Sequence, residues 1–288
     1  MSEHSTDLDK KLGEAVERMP AFPKSVQKIL VLTRDINCSP KVLVQVIEND
    51  PVMTMKILRV LNSAYYSLPS KITSINHSVV FLGLNTVKNI ALSIAAIGIL
   101  PKQNAAGFDV NQYLLHSLTT AAIAKHLSSK IGGADQMDCY VAGLLHDFGK
   151  VVFAQFMPEQ FKAALDKSQQ DNVPLFSAEQ AAIGTDHTVV GSMLAEKWKF
   201  PKPLIDSIRN HHSEKAGATV VGACVYAANQ ISNKMGFGFA GDPRVESLPP
   251  AVRKHFDANL DALIASIGDA ELSKILEQSR QFSQMDAS

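Results

Sequence analysis

A chain of 288 residues with 28 basic and 28 acidic side chains has no net field with which to gather phosphates along a nucleic acid. At 46% hydrophobic residues it is also too apolar to remain disordered, and its length suits one large domain or two small ones. Three widely spaced cysteines, Cys38, Cys139 and Cys224, offer no disulfide or metal-type pairing and point to a reducing cytoplasm.

Residues 1–11 are polar and lack the apolar core of a signal peptide. Residues 1–18 are a lead-in, within which Leu8, Leu12, Ala15 and Val16 have the spacing of an amphipathic helix. Ser39-Pro40 and Asp50-Pro51 each pair a capping side chain with proline at the first helical position. Behind the second, Val52, Met55, Ile57, Leu58, Val60 and Leu61 predict a dense apolar helical face. Two further helices are expected over 76–84 and 86–100; the apolar run 90–100 is too short to span a bilayer and reads as a buried helix. In 101–109 (PKQNAAGFD) proline, glycine and asparagine replace the periodic pattern, as in a linker.

Ser177-Ala178-Glu179-Gln180 has the form of a capping box ahead of an apolar run. A second break, rich in glycine and proline, covers 236–250, and 251–282 reads as one or two surface helices. Strand signals are scarce, since β-branched runs such as Val151-Val152-Phe153 sit inside helical patterns. The expectation is an all-α, multi-helix bundle: an N-terminal helical subdomain over 19–109, a helical core over 110–235 and a helical extension over 236–288.

Among nine histidines, His4, His77, His126 and His255 read as ordinary surface or core residues. The other five fall into four blocks on separate helical patterns: His116, His146-Asp147, His187 and His211-His212. Facing helices of a bundle can aim such side chains into one cavity. Imidazole nitrogens with a carboxylate suit divalent Fe or Mn first, with Ni, Zn or Mg as alternatives. Five imidazoles and one carboxylate are too many for one tetrahedral site, but they suit two octahedral ions bridged by Asp147.

The block Gly143-Leu144-Leu145-His146-Asp147-Phe148-Gly149-Lys150 resembles the central motif of the HD superfamily of metal-dependent phosphohydrolases. That resemblance implies His146 and Asp147 as metal ligands and Lys150 near a substrate phosphate. It also implies His116 as the preceding helix's ligand, and His187, His211 and His212 as the later ones of dinuclear members. The family's last ligand is an aspartate, and the matching position in Tyr226-Ala227-Ala228-Asn229 holds Asn229. A neutral amide is the poorer ligand, so one of the two metal positions is weakened, while the set Asp147, His187, His211 and His212 is complete.

The N-terminal half narrows the family. Pro20, Pro23, Ile47 to Pro51 (IENDP), Asn62-Ser63-Ala64-Tyr65-Tyr66, Ile75 and Leu82-Gly83 resemble the HDOD domain, a bacterial signalling relative of the HD fold. The likeness continues through His187-Thr188-Val189-Val190-Gly191 and Trp198, covering roughly 19–230. The related HD-GYP family hydrolyses cyclic di-GMP, but here His211-His212 is followed by Ser213-Glu214-Lys215, with no Gly-Tyr-Pro anywhere. Gln112 also stands where an acidic residue would help a third metal, so that activity is not favoured.

Two readings stay open. One is a regulatory, signal-transducing HDOD protein that keeps a divalent-metal site and docks a signalling protein partner, with Tyr65 and Tyr66 as surface candidates. The other is an active phosphohydrolase of a phosphorylated small molecule or nucleotide, in which Asp147 bridges the ions and Lys150 offsets negative charge. Neither nucleic acid nor membrane is expected as a partner; the helix–Gly–helix stretch 78–89 has a DNA-reader shape, but Lys88 is its only charge. A neutral all-α surface fits a monomer or a homodimer.

Overall fold

Six short polar side chains set the starts of the helices that matter. In the computed structural model, which describes residues 3–32, 39–62, 71–101, 103–242 and 244–284, Ser39 and Asp50 accept from the backbone N–H groups of Lys41 and Met53. Asp109, Asp135, Asp186 and Thr219 do the same at later helix starts. Each satisfies amides that a first turn leaves without partners. In chain order the helices are α1 (Glu3–Arg18), α2 (Lys24–Leu32), α3 (Pro40–Glu48), α4 (Pro51–Leu61), α5 (Ile75–Leu82) and α6 (Leu84–Ile97). There follow α7 (Val110–Ile131), α8 (Gln136–Leu145), α9 (Phe148–Phe156), α10 (Pro158–Asp171), α11 (Leu175–Ile183) and α12 (His187–Lys197). The last are α13 (Lys202–Asn210), α14 (Val220–Lys234), α15 (Pro250–Phe256), α16 (Leu260–Ile267) and α17 (Asp269–Gln284). No strand occurs among the described residues, so the all-α expectation holds. Among them, no helix is long and apolar enough to cross a membrane.

The chain divides into two compact units, Met1–Pro20 with Leu100–Leu276, and Ala21–Ile99 with Glu277–Ser288. In the smaller one, Val26, Ile29, Leu43, Ile47, Ile57, Leu61 and Ile75 are buried. Asp50 both caps α4 and accepts from the Ser25 hydroxyl at 2.7 Å. Asn62 donates to the carbonyls of Leu58 and Ile72 and accepts from the Ile72 amide, each at 2.8 Å, so this motif residue is a structural clip. Its neighbours Ser63, Ala64, Tyr65 and Tyr66, and also Cys38, lie outside the described residues. The apolar face expected on α4 is corrected in part. Met53, Ile57, Val60 and Leu61 point inward, whereas Val52 and Met55 are 59% and 64% exposed. Lys88 is buried on α6, which removes the one charge that a DNA-reading α5–α6 pair would have presented.

In the larger unit α7 packs against α8 and α14, and α9 and α13 pack against α12. The α9–α12 approach requires glycine: a Cβ on Gly149 would lie 2.0 Å from the His187 carbonyl oxygen. That approach brings Asp147 and His187 together from distant parts of the chain. The end of α1 is tied down within the same unit. Lys197 Nζ donates to the carbonyls of Val16, Glu17 and Met19, and Trp198 Nε1 donates to Pro20 at 3.1 Å. The capping-box expectation at Ser177 is not met: α11 begins at Leu175, after Pro174, so Ser177 lies inside the helix, and Gln180, which would turn back on the start, donates instead to Asp186 at 3.2 Å.

Candidate metal centre

The turn between α8 and α9 consists of His146 and Asp147, so both side chains leave the helical register and face the bundle interior. His146 Nδ1 lies 2.7 Å from the Gly143 carbonyl and His211 Nδ1 lies 2.7 Å from that of Ile208. A carbonyl only accepts, so in each ring Nδ1 carries the proton and Nε2 is left as the free lone pair. His187, placed at the first turn of α12 by the Asp186 cap, is fixed by a carboxylate. Glu179 Oε2 accepts from the His187 backbone amide at 2.9 Å and pairs with Nδ1 at 2.6 Å. A partner on the far ring nitrogen orients the metal-facing one, the arrangement seen around metal-binding histidines generally.

These Nε2 atoms converge on Asp147. Its Oδ1 is 3.2 Å from His187 and 3.4 Å from His211. His187 Nε2 in turn is 3.1 Å from His212 Nε2 and 3.3 Å from His211 Nε2. Its Oδ2 is 3.2 Å from His146, 3.8 Å from His116 and 2.7 Å from Lys150 Nζ. The ligand atoms form two groups, Asp147 with His187, His211 and His212, and Asp147 with His116 and His146, each within 4.8 Å. Asp147 is common to both. Asn229, buried on α14, lines the same cleft as His116, Asp147, Lys150 and His212. All eight positions singled out from the sequence therefore lie in one place.

The electrostatics fit a cation. Both ring nitrogens of His116, Nε2 of His146 and Oδ1 of Asp147 are buried without a hydrogen-bond partner among the described residues. Buried polar atoms left unpaired are costly and call for a ligand, water or ion. Burial, with His146 adding to it, drives His116 down to about 3, and burial takes His211 down to about 4. His212 is also held well below its usual value by burial, then by His211 and His187. These imidazoles are neutral at physiological pH, as metal ligands must be. Burial opposes the Asp147 charge, but His146 and Lys150 outweigh it and hold the carboxyl far below its ordinary range. At His187 burial is again overridden, here by Glu179, and the ring is pushed up to about 9. The residues present fit a divalent ion with nitrogen and oxygen ligands.

Several residues at this site were not singled out from the sequence. Glu179 lay in a stretch with the local form of a cap; only the fold places it under His187. The segment read as a break at 236–250 instead passes over the centre. A Cβ on Gly238, whose φ is +80°, would lie 2.4 Å from the His116 amide nitrogen, so that close passage across α7 requires glycine. Beyond it, Asp242, Arg244 and Glu246 line the mouth of a cleft of about 310 Å³, counting the space open to solvent. A proline- and glycine-rich stretch carrying three charges was the available signal.

An all-helical bundle with a His-Asp turn at its centre and histidines arriving from three other places defines an HD-type domain. A family model of the HDOD domain matches residues 19–214, and the chain belongs to that family. It is 28% identical over 156 residues to Ribonuclease Y of Mycoplasma mycoides, covering 52% of this chain and 30% of that enzyme. Among solved structures it resembles an HDOD domain protein of unknown function from Geobacter sulfurreducens, with a TM-score of 0.78 and 24% identity over 95% of this chain and 98% of that one. A protein from Marinobacter aquaeolei VT8, provisionally described as a signal transduction protein, gives a TM-score of 0.79 at 22% identity over 100% of this chain and 67% of the other. The two structural likenesses establish the fold. The chain spans less than half the length of the curated relatives it matches.

Proposed function

We propose that this HDOD protein is a signal-transduction module that holds divalent metal in its helical core, most readily iron or manganese, with a signalling protein as its partner. One observation carries the reading: the two oxygens of Asp147 face two separate groups of histidine nitrogens, several of which are buried without partners. His187, His211 and His212 would hold one ion with Asp147; His116 and His146, with Asn229 nearby, would hold a second. The test is metal analysis of protein purified without oxygen. At least one equivalent of a transition metal is expected in the native chain and none in Asp147→Asn. A folded native protein that takes up no divalent metal refutes the reading.

A second reading, hydrolysis of a phosphoester, is favoured by Lys150, whose ammonium sits 2.7 Å from the shared carboxylate at the floor of the cleft. A bound divalent ion would acidify a water and polarise a phosphoryl oxygen. The chain's own share would be smaller: Asp147 holds charge at the centre, Lys150 neutralises a phosphate oxygen, and Glu179 keeps His187 aimed inward. A panel of phosphate monoesters, nucleotides and cyclic nucleotides with added manganese or iron separates the readings. Turnover lost in Asp147→Asn supports hydrolysis, and bound metal without turnover supports the regulatory role.

A further inference from the structure

The segment that crosses the cleft is pinned at several points, and the pinning leaves one cation facing inward. Asp242 uses both oxygens on backbone amides, Oδ2 accepting from Leu175 N at 3.1 Å and Oδ1 from Arg244 N at 3.0 Å. Gln230 Oε1 accepts from the Glu246 amide at 2.6 Å, and Asn233 donates to the Arg244 carbonyl at 3.3 Å. Glu246 accepts from the Tyr226 hydroxyl and from Arg244 Nη2, both at 3.1 Å. Both carboxylates are thus turned toward protein donors. The guanidinium they hold lines the cleft together with Lys150 and His116. Its Nε is buried without a hydrogen-bond partner, though within ion-pair distance of Asp242 Oδ1 at 3.7 Å, and nothing among the described residues accepts from Nη1.

We infer that Arg244 and Lys150 form a binding site for a single terminal phosphoryl group, carried by inorganic phosphate or by a phosphate monoester, at the mouth of the metal centre. This deepens the reading of that centre as a metal site and rests on it. Two features carry the inference. The first is a planar donor fork held in place before any ligand arrives, the form in which arginine recognises tetrahedral oxyanions. The second is a lysine lining the same cleft that has one partner, Asp147, for its three donors. Arg244 lies beyond residue 214, where the family match ends.

The experiment is calorimetric titration of metal-loaded full-length protein with inorganic phosphate, a nucleoside monophosphate and a cyclic dinucleotide. Metal content and thermal midpoint are recorded for every variant. Losing a charged hydrogen-bond donor corresponds to roughly a 10- to 100-fold loss of affinity. Arg244→Gln should weaken phosphate and monophosphate by that factor while keeping the metal. Arg244→Lys should recover part of the loss, which a merely structural role for the side chain would not produce. Monophosphate binding tighter than phosphate in the native protein assigns the site to an ester, and equal binding assigns it to the free ion; both support the inference. Native-like phosphate affinity in metal-loaded Arg244→Gln overturns it, as does a cyclic dinucleotide that binds more tightly than the monophosphate. A native protein without metal instead refutes the metal reading, so the two failures are distinguishable.

Discussion

The two sides of Asp147 are built from the same kinds of helix but not to the same standard. Around Oδ1, three Nε2 atoms come from the start of α12 and the end of α13, and Glu179 buttresses His187 from behind. Around Oδ2 stand His146 and the more distant His116, with an amide at Asn229 and the ammonium of Lys150 already at 2.7 Å. A cation entering the first side meets the neutral nitrogens of His211 and His212 and a carboxylate, and displaces the proton that His187 carries. One entering the second must share its carboxylate oxygen with a fixed positive charge and gains no anion from Asn229. The same bridging residue thus serves a strong position and a weak one, and sequence-level ligand counting underestimates the difference because it does not see where the lysine lies.

The largest effect should come from removing what both sides share. Asp147→Asn is expected to abolish metal binding at both positions, read as metal equivalents per chain. It also leaves the Lys150 ammonium buried beside a neutral amide, with side-chain exposures of 3% and 1% in the native pair. Breaking such a pair from one end typically costs about 3–5 kcal/mol, so the thermal midpoint should fall as well. Next in size is a split between the sides. His211→Ala should remove the tightly held ion, whereas His116→Ala should leave it in place and affect only a second, weaker equivalent. Equal losses in the two variants would mean that the sides are one site and that the contrast drawn above is wrong. A gain is expected third: Asn229→Asp supplies the missing anion and should raise the second equivalent toward the first in a competitive chelator titration.

How much of this was readable from the chain alone differs residue by residue. His146 and Asp147 announced themselves as a doublet between an apolar helix and a glycine, and the doublet His211-His212 did likewise, because adjacent polar residues interrupt an apolar period visibly. The helix starts at Pro40 and Pro51 were equally legible, since capping is local chemistry. Glu179 was not, because its partner lies eight residues on, across a helix end, and no local pattern links the two. Arg244 was hidden for a related reason. Its function depends on the close passage of Gly238 over α7 and on side-chain anchors from α14, and no periodicity encodes a loop's path. Val52 and Met55 were misplaced because a helix apolar on most of its circumference does not say which stripe faces inward.

The smallest expected effect concerns protons, and it sets the two sides apart again. His187 is pushed up to about 9, against the opposing effect of burial, chiefly by Glu179, so without metal the strong side carries a proton at neutral pH. Binding there must release it, and apparent affinity should rise about tenfold per pH unit from neutrality until it levels near pH 9. On the weak side burial drives His116 down to about 3, so that ring contributes no such slope in the same window. Folding stability of the metal-free protein carries the matching sign. The raised pKa of His187 contributes stability that is fully present below about 6.5, its ordinary value, and is lost as pH rises through about 9. Glu179→Gln removes the main cause of the shift. It should flatten the pH dependence of metal binding while lowering affinity through a less firmly aimed ring, by about 10- to 100-fold as for other outer partners of metal-binding histidines. Calorimetry at three pH values on the native and Glu179→Gln proteins reads both changes, and a slope that survives the substitution would place the proton elsewhere than on His187.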